Sequence, residues 1–174
     1  PNLDDSKKEW DLLVVGAEGA PIYGPRLELD ALAQEFAANF RVQFNHHGGS
    51  RRARWEGKVG EDKMPYMNAW SAYLGKARFV IFGPIAEEPQ PVFYKYCECL
   101  GSGAVPIMPD APDLTLMGVR AWEHFIPLSH VWNNRRRLLE VLRAYEEHRH
   151  VAERAVAWHK ANADWARERL HEIA

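Results

Sequence analysis

The sequence predicts a doubly wound α/β domain, and three observations predict it. Short apolar runs close on glycine or proline, segments with a helical apolar period lie between them, and the length suits one core. The chain has 174 residues, 47% of them hydrophobic and 11% aromatic, which is material for a single globular domain over 1–174. The first nine residues are polar and are expected to form a flexible leader.

The first strand is expected from Trp10 to Val15, a short apolar run ending at Gly16. A loop punctuated by glycine and proline follows. Leu27 to Phe40 then places apolar residues at 27, 29, 32, 33, 36, 37 and 40, one face of a helix. Phe40 to Phe44 is expected as the second strand, leading into HHGGSRRARWEGKVGED, a basic stretch too long for a tight connection. Pro65 to Lys76 reads as a helix with proline in its first turn. Arg78 to Phe82 is the clearest strand, closed by Gly83 and Pro84. After IAEEPQP, a helix is expected from about Val92 to Leu100, ended by Gly101 and Gly103, and Ala104 to Met108 is a further strand. Phe125 to Leu128 is a short strand candidate. Asn133 and Asn134 offer N-caps for a helix through about Glu147, and the tail from Val151 to Ile173 is helical.

Charge and composition exclude several classes. Lys and Arg number 22 against 24 Asp and Glu, a formal net charge of -2, so there is no global attraction to duplex nucleic acid or an anionic membrane. No run approaches the roughly 18 apolar residues of a membrane span. Cys97 and Cys99, one residue apart, give no disulfide framework; a cytoplasmic location is expected, with both thiols in the core. His148, His150, His159 and His171 lack the spacing of a helical zinc motif, and no metal is expected. Neither an early Gly-x-Gly-x-x-Gly nor a P-loop lysine is present.

In an open parallel sheet, ligands bind beyond the carboxyl ends of the strands. The loops there carry Tyr23 and Arg26, then His46, His47, Arg51, Arg52, Arg54 and Lys58, then Glu87 and Glu88, then Asp110 and Asp113. Cations beside carboxylates are what an anionic ligand with sugar hydroxyls requires, although solvated loop charges have the same composition. A helix over Val92 to Leu100 brings Lys95 and Glu98 onto one face, which is also how surface ion pairs are built.

The run Lys95-Tyr-Cys-Glu98-Cys-Leu-Gly-Ser-Gly103-Ala-Val-Pro106-Ile-Met-Pro-Asp110 resembles the nucleotide-sugar-binding signature in the C-terminal half of GT-B glycosyltransferases. It is closest to the group-1-like, spore-maturation-type and exostosin-like branches. The segment from Tyr66 to Phe82 is similar to what those families place just upstream. The resemblance implies a Rossmann-like sheet forming one GT-B lobe, which binds a nucleotide diphosphate sugar and transfers the sugar to an acceptor without a metal or other cofactor. It implies that Glu98 binds the ribose hydroxyls, that Lys95 lies near the donor phosphates, that Gly103 permits the helix-to-strand turn, and that Pro106 is structural. Relatives often carry Arg where Lys95 stands, and Lys is a point charge, not a bidentate fork. Glu87 and Glu88 stand eleven and ten residues ahead of Glu98, so the double-glutamate spacing of many retaining enzymes is not met.

Arg26 is the first candidate phosphate ligand, with His46, Arg51, Arg52 and Lys58 as further donor contacts. No catalytic residue is assigned. A second lobe, in the same or another chain, is the expected partner besides donor and acceptor; Trp158 and Trp165, seven apart on the last helix, form a packing stripe suited to such a contact. The other reading is a non-catalytic nucleotide-binding or interaction module on the same scaffold.

Overall fold

A computed structural model describes residues 3–16, 24–46, 70–83, 94–132 and 134–162. The strands are β1 (Trp10–Gly16), β2 (Val42–His46), β3 (Ala77–Ile81), β4 (Val105–Met108) and β5 (Ile126–Pro127). The helices are α1 (Gly24–Phe36), α2 (described over residues 70–74), α3 (Tyr94–Leu100), α4 (Pro112–Leu116), α5 (Leu128–Val131), α6 (Arg135–Arg143) and α7 (Tyr145–Ala161). Among the described residues all strand pairings are parallel, in the order β2-β1-β3-β4-β5. This is an α/β architecture of the Rossmann-like, doubly wound kind.

Alternating side chains divide the core into two layers. Leu12, Val14, Phe79, Ile81, Val105 and Ile107 face α1 and α6, while Leu13, Val15, Val80, Phe82 and Met108 face α2 and α3. Both faces of the three central strands are covered, which is why those strands read as continuous apolar runs. β5 ends the sheet at an edge where Pro127 is tolerated.

Three elements differ from expectation in their boundaries. Helix α1 begins at Gly24 and ends at Phe36, so Arg26 lies in its first turn and not in the preceding loop. Pro25 is compatible with that turn because its missing N–H would have no partner there. Strand β2 is displaced by two residues: pairing runs from Leu12 opposite Val42 to Gly16 opposite His46. His46 is therefore the last residue of β2. Phe40, apolar and expected as a strand residue, packs edge-on against Phe36 at 6.4 Å instead. The helical expectation through Glu147 breaks at Ala144, letting Tyr145 turn its ring onto Phe79 at 5.6 Å.

Residues 3–9 are not a free leader. Asp5 accepts a 2.6 Å hydrogen bond from the Tyr145 hydroxyl and pairs with Arg149 at 2.9 Å. Lys8, 6% exposed, donates to the carbonyls of Gly75 and Gly103 at 2.9 and 2.8 Å. Helix α7 spans both layers, with Val151 and Ala152 in one cluster and Ala155 in the other. It lies so close to the α3–β4 turn that a Cβ on Gly101 would stand 2.9 Å from the His159 ring. The amino edge of the sheet is thus closed by packing, and residues 163–174 lie outside the described residues.

Candidate functional site

The strand order reverses between β1 and β3. Helix α1 leaves β1 on one face of the sheet, whereas α3 leaves β3 on the other. The carboxyl ends of these adjacent strands therefore flank the point of reversal, which is where open α/β sheets bind ligands. Arg26, by its backbone position in the first turn of α1, lies on this side of the sheet.

On the other face of the sheet, α3 carries Lys95 and Glu98. The Lys95 Nζ lies 3.0 Å from Glu98 Oε2, and the Trp70 indole N–H donates to the same oxygen at 2.9 Å. The ammonium also sits over the Trp70 ring, 4.9 Å from its centroid. The two charged side chains are only 15% and 12% exposed, so this is no ordinary surface pair. Removing both charges from water is costly, and the indole donor and π face offset part of that cost. Among the described residues, no donor is assigned to Glu98 Oε1. The arrangement holds a carboxylate with one oxygen committed to the fold.

Trp70 is fixed in turn. It is 6% exposed and stacks on Tyr73, with centroids 5.5 Å apart and planes at 13°. Tyr73 contacts Trp10 at 5.0 Å, linking the cluster to the start of β1. Neither Trp70 nor Lys8 emerges from the sequence as a site or clamp residue. The apolar helical face containing Trp70 is legible, but periodicity does not name the carboxylate its N–H meets.

Gly103, at φ 88°, makes the turn from α3 into β4, a backbone conformation costly for any residue with a Cβ. Its position is at the amino edge, opposite the strand ends. Asp110 accepts from the Ser129 hydroxyl at 2.7 Å, tying the exit of β4 to α5, and Asp113 lies in the first turn of α4. Cys99 is buried and Cys97 partly so, both free. Burial pushes the Cys97 thiol up to about 11 and raises Cys99 as well, which disfavours a reactive thiolate at neutral pH. Tyr23, His47, Arg51, Arg52, Arg54, Lys58, Glu87 and Glu88 lie outside the described residues.

Among the described residues, no helix is long and apolar enough to cross a membrane. No protein-family model matches the chain, and no curated protein matches it. The fold and site therefore define a class, a Rossmann-like α/β domain with a carboxylate–ammonium–indole cluster, and the comparisons assign no family within it.

Proposed function

We propose that the chain is the donor-binding lobe of a glycosyltransferase that moves a sugar from a nucleotide diphosphate sugar to an acceptor without a metal. The observation that carries this reading is Glu98, held with Oε2 occupied and Oε1 unassigned, on the helix that follows the strand-order reversal. A ribose hydroxyl is a suitable donor to such an oxygen. The diphosphate would lie toward the first turn of α1, where the helix dipole and the charge of Arg26 would favour an anion. In the transfer, the bond between the sugar's anomeric carbon and the phosphate oxygen breaks. The nucleotide diphosphate leaves with that electron pair, the acceptor oxygen bonds to the sugar, and its proton passes to a base. Positive groups and helix dipoles stabilise the departing anion.

Titration calorimetry with UDP, GDP and ADP tests the reading. At least one is expected to bind, with micromolar to millimolar affinity, and Glu98→Ala is expected to weaken it. Absence of binding by all three would sink the proposal.

The near-burial of Lys95 and Glu98 favours one competing reading, in which their cluster is a clamp between α2 and α3 in a non-catalytic interaction module. Incubation with radiolabelled nucleotide sugars separates the two. Release of nucleoside diphosphate, by the chain alone or with a second lobe, belongs to the enzyme; inert nucleotide sugars with intact nucleotide binding belong to the module.

A further inference from the structure

We propose that Trp70 is a positioning residue for Glu98: with Lys95 it locks the carboxylate through Oε2, so that Oε1 alone is presented to a ribose hydroxyl. This rests on the donor-site reading above and adds to it a residue on a different helix.

A glutamate side chain has three rotatable bonds, and an unrestrained carboxylate exchanges its two oxygens freely. Here two donors converge on one oxygen, the indole N–H at 2.9 Å and the ammonium at 3.0 Å. Turning the carboxylate out of this plane would forfeit both bonds, so its orientation is fixed: one oxygen position is filled by the two donors and the other is not. The indole is itself immobilised by the stack on Tyr73 and by the Tyr73–Trp10 contact. It also steers the second donor, because Lys95 Nζ rests 4.9 Å above its ring. A phenylalanine at 70 retains a ring for the stack and a π face for the ammonium but has no N–H. Trp70→Phe therefore isolates the positioning bond from the packing.

The test is calorimetric titration of the full chain with UDP, GDP and ADP, each beside its 2′-deoxy counterpart, for wild type, Trp70→Phe and Glu98→Ala. The readout is the ratio of ribo to deoxy affinity, which a loss of general packing does not move. Trp70→Phe is expected to weaken the ribonucleotide about tenfold and leave the deoxy form unchanged, bringing the ratio close to that of Glu98→Ala. A Trp70→Phe protein that keeps the wild-type ratio, while Glu98→Ala loses it, overturns the positioning role and leaves the donor site standing. No nucleotide binding, or equal ratios in wild type and Glu98→Ala, overturns the donor site and the positioning role together. Should Trp70→Phe fail to fold, Lys95→Met removes the other donor to Oε2 and decides the matter: a collapsed ratio supports the lock, and an unchanged ratio overturns it.

Discussion

Lys8 and Lys95 are both largely withdrawn from water, and both bind the same pair of helices, yet they are satisfied differently. Lys8 lies beyond the carboxyl ends of α2 and α3, where its ammonium bonds the carbonyls of Gly75 and Gly103. A cation there meets the negative ends of two helices, so charge and backbone geometry agree. Lys95 lies between the helices, on the Trp70 ring and the Glu98 carboxylate. The first arrangement consumes backbone acceptors to join two turns. The second leaves an acceptor over. A buried lysine thus marks a fastening at one edge of the domain and a candidate recognition site in its interior, and the difference lies in what its partner has left to offer.

The largest effect that could break this contrast is expected at Lys8. Lys8→Met leaves two carbonyls without their charged donor and should lower unfolding stability at pH 7 by about 3 kcal/mol, read by urea denaturation. A loss no greater than that of Lys95→Met would remove the distinction between fastening and site. The next test uses pH. Burial lowers the Lys8 pKa to about 8 in the folded chain, against 10.5 for the solvated side chain of the unfolded chain. Between those values the unfolded state binds the extra proton, so stability should rise with pH. Measured against Lys8→Met, the wild type should gain about 2 kcal/mol from pH 8 to pH 10. A flat difference would show that Lys8 is not held against its solvation in the way its burial implies.

Gly103→Ala probes the same fastening from the acceptor side. Its φ of 88° should make the substitution cost about 2 kcal/mol in stability, measured as a lowered Tm. Lys95→Met should have the smallest effect on stability, about 1 kcal/mol, because Glu98 keeps its indole bond and some contact with water. If its consequence is instead a stability loss as large as that of Lys8→Met, the Lys95 cluster is a second fastening.

Much of the fold was legible because strand and helix leave different periods in the chain. The runs at β1, β3 and β4 are apolar on both faces, since each strand lies between helices on both sides. Lys95 and Glu98 were legible as a pair because three residues of helix bring them together. Helix α1 was misplaced at both ends, since Pro25 suits a first turn and a loop alike and the apolar period continues through Ala37 into Phe40. The polar leader was misread for a similar reason: composition describes Asp5 and Lys8 as solvated residues. Their partners Tyr145, Gly75 and Gly103 lie far along the chain.

By itself, the sequence determined the layered α/β class, the carboxylate and ammonium on one helical face, and the glycine-bearing turn beneath them. Those features depend on local period and on what a single residue's backbone permits. Only the tertiary structure decided that Trp70, 28 residues before Glu98, donates to its carboxylate, and that Lys8 rather than another cation closes the turns below. Both depend on the crossover that sets α2 beside α3, and the choice of hydrogen-bond partner between packed helices follows from that placement, which no periodicity in the chain encodes.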